Sequence, residues 1–433
     1  LSKIVVAGGG WAGVAAAYAA RLAGAEVQLL ERTDMLLGTG LVGGILRNNG
    51  RFTATEEHIA LGMDGLWSVI DANLRHRDVD FPGHEHADLY DVTTIEPAVR
   101  GFLEEQGVEL HTRTRVSQSA HDGARLTAVA AGDLWFEADA FVDATGSFGP
   151  QGNCTRHGNG CAMCILRCPS FGGRVSLAQE AGIAELRATR MDGTVGVMSG
   201  SCKLHSDSVS PELRTQLAET GVAVVPLPPE LQAGKREMLG VKACQQYALP
   251  EFAENLVLLD TGHVKLMTPF FPLDQLRRVA GLENARYEDP YAGGIGNSIR
   301  YLAMTPHRAD LRSETIDNLF VGGEKTGPFV GHTEAMVSGS VAGLNAVLEA
   351  DGREPVILPQ SLAVGDALAA VGEVMRAGLL SRKLTFSGSW YFDRMKDKGL
   401  YSTDRDEIGR RVQQAGLTGV FKKAGRASGA SVA

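Results

Sequence analysis

Residues 3–31, KIVVAGGGWAGVAAAYAARLAGAEVQLLE, constrain this chain more than any other stretch. The apolar run at 4–7 suits a buried parallel strand. Gly8, Gly10 and Gly13 follow at GxGxxG spacing, and an alanine-rich helix then leads to a second apolar strand ending at Glu31. Each glycine has a mechanical reason: a tight turn, close backbone approach to a pyrophosphate, and close helix–strand packing. The helix start, at Trp11, Ala12 and Gly13, offers amides to phosphate, and the helix dipole adds to their pull. Glu31, with Arg32 beside it, stands where an acid accepts hydrogen bonds from a ribose diol. That favours FAD or NAD over a 2′-phosphorylated cofactor.

Later segments fall in register with an FAD domain. Residues 36–50 are glycine-studded and are expected to run along the cofactor. A helix over 93–105 feeds a strand at 108–113, after which Val116 is a candidate backbone contact to adenine. The segment FEADAFVDATGS ends a strand in Ala144, Thr145 and Gly146, whose small side chains permit close approach to the FAD phosphates. A strand at 318–321 leads into Gly322, Gly323, Glu324, Gly327 and Gly331, and a helix begins near Thr333. From this loop Gly323, Glu324, Gly331, His332, Thr333 and Glu334 are candidate cofactor contacts, with the helix start facing the flavin. No second complete GxGxxG unit follows, so a dedicated nicotinamide-nucleotide domain is not expected.

The 433 residues suffice for two or three domains. The expected fold is α/β, with an FAD-binding Rossmann domain of two-dinucleotide type, an inserted α+β domain and a helical C-terminal segment. The expected divisions are 1–150 and 255–352 for the FAD domain, 151–254 for a cysteine-containing substrate or cap domain, and 353–433 for the helices. No apolar run reaches the ~18 residues of a membrane span. The sequence opens directly on a strand with no signal peptide, so a cytoplasmic location is expected. A net charge of −9 argues against broad nucleic-acid binding, although Arg277, Arg278, Arg300 and Arg308 leave room for a local basic groove.

Four of the six cysteines, Cys154, Cys161, Cys164 and Cys168, fall within fifteen residues. Their spacing partly matches the C-x2-C-x2-C-x3-C-P ligand run of an iron–sulfur cluster, including the terminal C-x3-C-P. A flavin-linked dithiol of Cys161 and Cys164 is an equal alternative, and structural zinc a lesser one. Cys202 and Cys244 read as small buried hydrophobes. Among histidines, His157, His263, His307 and His332 are candidate acids or bases. His76, His84 and His86, near Asp78, Asp80 and Glu85, read as a solvated loop turning at Pro82-Gly83.

Three C-terminal segments carry a family resemblance: LDQLRRVAGLENARYEDPYAGGIGNSIRYL, NLFVGGEKTGPFVGHTEAMVSGSVAGLNAV and EPVILPQSLAVGDAL. With the N-terminal unit they resemble the folate- and FAD-dependent tRNA (uracil-5-)-methyltransferases. That family shares a flavoprotein superfamily with the glucose-inhibited-division tRNA-modifying proteins. The resemblance implies FAD, a one-carbon unit from methylenetetrahydrofolate, and a cysteine that forms an adduct with uracil. The family carries one cysteine after a Leu-Val pair in the loop beyond the first βαβ unit, and here Leu41-Val42 is followed by Gly43. The leading expectation is therefore an FAD-dependent oxidoreductase. In it Cys161, Cys164 and Cys168 exchange electrons or a covalent group with the flavin, acting on a small molecule or an electron-transfer partner. A homo-oligomer is allowed, and tRNA is not favoured. The alternatives are the tRNA methyltransferase and an FAD-binding redox sensor without turnover.

Overall fold

The computed structural model describes residues 1–146, 170–188, 201–232, 249–268, 271–288 and 302–426, together with 168, 197–198, 235 and 299–300. In chain order its main elements begin with β1 (Lys3–Ala7), α1 (Trp11–Leu22), β2 (Glu26–Leu30) and α2 (Gly50–His58). Strands β3 (Glu109–His111), β4 (Ala140–Asp143), β5 (Cys202–Leu204), β6 (Val222–Pro226), β7 (Asn255–Asp260), β8 (Val264–Leu266) and β9 (Leu319–Val321) come next. Helices α3 (His332–Ala350) and α4 (Ala363–Arg376) then lead into shorter C-terminal helices.

Five strands form one parallel sheet in the order β9-β4-β1-β2-β3. Strands β1, β4 and β9 are buried almost throughout, as parallel strands covered on both faces must be. Among the described residues the chain leaves this sheet after β4 and returns at β9, the discontinuous Rossmann arrangement expected from the sequence. Between them, β5, β8, β7 and β6 form an antiparallel sheet in that order, with its own apolar core around Leu204, Leu258 and Leu266. The inserted sheet thus runs on to Leu266. The stretch around His76, His84 and His86, expected as a loop, forms a hairpin of Leu74–Phe81 and His84–Tyr90 turning at Pro82-Gly83. None of the described helices is long and apolar enough to cross a membrane.

Two close crossings fix the geometry that matters for the site. Helix α1 packs on the end of β1 at Gly13, where a Cβ would stand 1.8 Å from the Gly8 carbonyl oxygen. Helix α3 packs on α1 through Gly339 and Gly343, where a Cβ would meet the carbonyl oxygens of Ala12 and Ala16 at 2.1 and 2.2 Å. Any larger residue at these positions forces the two backbones apart, since close-packed interiors do not absorb even one methylene freely. The alanine-rich run of α1 therefore serves the helix–helix contact, and it holds the two helix starts side by side.

Candidate functional site

Those two helix starts open onto one cavity of about 280 Å³. From the first motif its wall takes Gly8, Gly10, Trp11 and Ala12. From the tip of β2 it takes Glu31 and Arg32, with Val116 close by. Ala144, Thr145 and Gly146 form another side, and Gly323, Glu324, Gly331 and His332 complete the late-loop side. Gly13, Thr333 and Glu334 lie behind the wall.

The wall is prepared for a nucleotide by several independent features. Gly8 has a φ of +100°, and a Cβ there would stand 2.4 Å from the Ala144 carbonyl oxygen, so the first turn and the 144–146 triplet touch. Gly10 N-caps α1 without a side-chain cap, and a Cβ on it would meet nothing within 4 Å. The first amides of a helix have no intrahelical acceptor. Helix α3 likewise starts at Gly331 without a side-chain cap, and in its first turn the Thr333 hydroxyl is buried with no hydrogen-bond partner among the described residues. Unpaired buried hydroxyls are uncommon in native proteins and ask for an external partner.

Glu31 is 9% exposed. Its Oε2 accepts the Gly9 amide at 2.8 Å, and its Oε1 accepts the Thr33 amide and hydroxyl at 2.7 and 2.9 Å. A carboxylate has about four acceptor sites, so these contacts leave room on Oε2 for one further hydroxyl. The residues present thus fit an extended dinucleotide, with ribose at Glu31 and phosphates between the starts of α1 and α3.

Beneath the wall a buried network ties the two glycine loops together. Asp143 Oδ1 accepts the Thr145 amide and hydroxyl at 3.0 and 2.6 Å, and its Oδ2 accepts the Ala178 amide at 2.8 Å. Lys325, fully buried, donates to Ser176 Oγ at 2.7 Å and to Glu185, and lies 3.8 Å from Asp143 Oδ2. One ammonium between two carboxylates clamps the 144–146 triplet to the 322–325 loop.

Glu334 has a different task from the one expected of it. Fully buried, it receives both Arg51 Nε contacts at 3.1 Å, the Thr385 hydroxyl at 2.7 Å and the Phe386 amide at 2.9 Å. Its carboxylate is spent on pinning residues 385–386 to α2 and α3. This pair also explains Gly331, where a Cβ would stand 1.9 Å from Glu334 Oε2.

At the far end from Glu31 lie residues that sequence reasoning did not single out. Arg51, Lys265 and Lys383 reach the wall there, beside Val42, Gly43 and Val330. Single cations on separate elements carry no local spacing signal, which is why they were missed. The His332 ring packs directly on Gly43, where a Cβ would stand 1.7 Å from its Nε2. Tyr90 lies edge-on to that ring at 6.3 Å and donates its hydroxyl to the Gly40 carbonyl. Burial pushes the Tyr90 phenol up to about 12, so it remains a donor.

The remaining histidine candidates are engaged elsewhere. His263 and His205 share Glu288 at 2.7 and 3.0 Å, and burial, with Lys203 nearby, holds His263 below the usual imidazole range. His307 lies within hydrogen-bond distance of two backbone carbonyls. His76, His84 and His86 face Asp260, Asn48 and Asp78 respectively, three separate partners. His157 and Arg300's side chain lie outside the described residues. Arg278 pairs with Glu230, and Arg277 donates to the Ala285 carbonyl.

The cysteine reading requires correction. Among the described residues no group of three or more His, Cys, Asp or Glu is placed to hold a metal ion. Cys168 lies 3.9 Å from Arg32 Nη1, and Arg32 also donates to the Gly172 carbonyl, at the Glu31 end of the cavity. Cys202 belongs to the core of the inserted sheet. Cys154, Cys161 and Cys164 lie outside the described residues. Ligation needs convergent side chains, and none converge on Cys168 or Cys202 among the described residues. The iron–sulfur assignment and the catalytic role of Cys161, Cys164 and Cys168 are withdrawn.

The parallel sheet, the glycine turns and the acid at the tip of β2 define an FAD-dependent oxidoreductase fold of Rossmann type. Residues 3–147 match the family described as FAD dependent oxidoreductase, and residues 261–354 match glucose inhibited division protein A. The chain therefore carries an FAD-dependent oxidoreductase domain together with a segment of the glucose-inhibited-division type. A relative in Streptococcus agalactiae serotype III (strain NEM316), the tRNA uridine 5-carboxymethylaminomethyl modification enzyme MnmG, is 38% identical over 91 residues. That match spans 21% of this chain and 13% of the relative. The methylenetetrahydrofolate–tRNA-(uracil-5-)-methyltransferase TrmFO of Streptococcus suis (strain 05ZYH33) is 39% identical over 90 residues, 20% of this chain and 19% of that one. The matched stretches are thus under a fifth of the length of either relative. The Aquifex aeolicus GidA structure (form II crystal) superposes with a TM-score of 0.71 at 16% identity, covering 98% of this chain and 73% of that one. At that identity the likeness is one of fold.

Proposed function

We propose that this chain is an FAD-dependent enzyme of tRNA uridine modification, with the cofactor lying along the cavity from Glu31 to Gly43. The observation that carries the cofactor placement is that one cavity gathers five separate stretches: the β1–α1 turn, Glu31, the 144–146 triplet, Gly322-Gly323 and the start of α3. FAD supplies two-electron redox chemistry when bound there. The chain's own residues then bind and orient it. Glu31 takes a ribose hydroxyl, the starts of α1 and α3 receive the phosphates, and the Asp143–Lys325–Glu185 network keeps the two glycine loops in step.

The tRNA substrate is supported by both relatives, which are named for modifying uridine or uracil in tRNA. A tRNA substrate is therefore favoured over a small-molecule one, contrary to the expectation from net charge. Total charge was a poor guide because it averages over the chain. Residues 376–433 hold twelve Lys or Arg against five Asp or Glu, and Arg376, Arg382, Arg410 and Lys423 among them are exposed. A local cationic surface attracts a polyanion whatever the net charge.

The loop at 43 bears on the chemistry. With His332 packed on Gly43, a side chain at 43 has no space unless that ring moves, so the thiol adduct of the methyltransferases is not assigned to this position.

The test is direct. Purified protein is expected to be yellow with FAD bound, and Glu31→Ala to weaken FAD by about tenfold, the scale of one lost charged hydrogen bond. Incubation with unmodified tRNA, methylenetetrahydrofolate and a reductant, followed by nucleoside analysis, is expected to show a new substituent at uridine C5. A holoprotein that leaves every uridine unchanged under these conditions rules out the tRNA assignment while keeping the flavin one.

A further inference from the structure

The inserted sheet contributes one buried cation to the cavity wall. Lys265, at the centre of β8, is 5% exposed, and its ammonium donates to the Val42 carbonyl and to Ser201 Oγ, each at 2.8 Å. Its register partner on β5 is Lys203, which donates to the Leu41 carbonyl at 3.0 Å and is not part of the wall. The same sheet therefore ties down the 41–42 loop twice, but of the two lysines only Lys265 belongs to the cavity wall.

The wall carries both signs of charge. Its carboxylates are Glu31, with Arg32 beside it at one end, and Glu324, and Arg174 also lines it. At the opposite end the wall holds Lys265, Lys383, His332 and Arg51, and Glu334 meets the charge of Arg51. The start of α3 adds positive potential there. Burying an ammonium is unfavourable unless polar or anionic groups meet it, and in a low-dielectric wall it acts strongly on a nearby anion. Lys383 is less buried than Lys265, so solvent screens it more.

We propose that Lys265 is a cofactor-tuning residue, whose ammonium meets the negative charge that the pyrimidine half of the flavin gains on reduction or on addition of a nucleophile at N5. The proposal rests on the FAD placement given above. With ribose at Glu31 and phosphates at the helix starts, the ring system of an extended FAD would lie toward Gly43 and Lys265. The inserted domain thereby sets how readily the flavin accepts electrons.

Sulfite is the probe. Its addition to N5 of oxidised flavin bleaches the visible band and leaves negative charge on the pyrimidine ring, so its affinity reports a neighbouring cation without any turnover. Titration of FAD-loaded full chain is expected to show an adduct. Lys265→Gln keeps a donor for Val42 without the charge and is expected to weaken sulfite by about tenfold or more. Lys265→Arg, which keeps the charge, is expected to stay within about threefold of wild type. Lys203→Met, which cuts a loop tie without touching the cavity charge, is expected to leave the affinity unchanged.

Three results overturn the proposal: no adduct in the wild-type holoprotein, wild-type affinity in Lys265→Gln, or an equal loss in Lys203→Met. The last would make Lys265 only a loop tether. Failure of the wild-type chain to bind FAD at all is a different result, and it removes the cofactor placement itself.

Discussion

Replacing Gly43 with alanine puts a methyl group where the His332 ring now lies. The new Cβ would stand 1.7 Å from Nε2, 2.6 Å from Cδ2 and 2.7 Å from Cε1 of that ring. Non-bonded carbons rest about 3.5–4.0 Å apart, so the ring must retreat by roughly 2 Å or leave the cavity. Gly43 itself is not in a left-handed conformation, so alanine brings no backbone strain there. The cost is overpacking alone, about 1–3 kcal/mol, offset by up to about 1 kcal/mol for the better helix former at the end of the short turn Gly40–Gly43. Urea unfolding of wild type, Gly43→Ala, His332→Ala and the double variant separates these terms. The alanine at 43 is expected to destabilise the wild type by about 1–2 kcal/mol and to be neutral or stabilising once His332 is gone, a coupling of at least about 1 kcal/mol. The single variant should also shift the visible spectrum of bound FAD. If Gly43→Ala costs the same with and without His332, the packing argument fails, and with it the reason given for glycine in this loop.

Other perturbations follow from the buried network and the helix crossings. Burial raises the Glu57 carboxyl from 4.5 to about 7, against the pull of the Val364 and Ala363 amides at the start of α4. A carboxyl with a raised folded-state value stabilises fully below its unfolded pKa and loses that contribution as pH rises toward 7. Between pH 5 and pH 8 the wild type should therefore lose about 2–3 kcal/mol more than Glu57→Gln in urea titrations, and parallel pH profiles would contradict this. Lys325→Met leaves Asp143 and Glu185 buried around an apolar side chain, and is expected to cost about 3–5 kcal/mol by denaturant unfolding. A cost below 1 kcal/mol would mean the network is not a clamp. Gly339→Ala drives a methyl group into the Ala12 carbonyl, a backbone atom that cannot rotate away, so FAD retention should fall together with thermal stability. A variant as stable and as yellow as wild type would show that α1 and α3 separate freely.

The parts of the fold that could be read from sequence are those where cause and effect lie within thirty residues. Strand β1, the glycine turn, α1, β2 and Glu31 form a local unit, and its spacing reflects its own sterics. The strand at 319–321 and the helix after it are legible for the same reason. Arg51, Lys265 and Lys383 were not, because each is an isolated cation on an ordinary element, and only tertiary folding brings them to one wall. Glu334 was placed near the site for sound reasons, yet its charge is consumed by Arg51, a partner 283 residues away. For the cysteines, closeness along the chain set the expectation, and among the described residues no metal-holding group forms around Cys168 or Cys202. In the inserted region, β7 and β8 read as a return to the FAD domain, whereas their hydrogen bonds go to β5 and β6.

The Arg51–Glu334–Thr385 junction has a consequence for how the protein is made. It joins Arg51, on the cavity wall, to Thr385, 334 residues further along the chain. A nascent polypeptide emerging from the ribosome cannot close this compartment until residue 385 is free, however early its first nucleotide-binding unit folds. Closure of this compartment thus waits on residues 51, 334 and 385 together, and a retained flavin colour would report that the three have met.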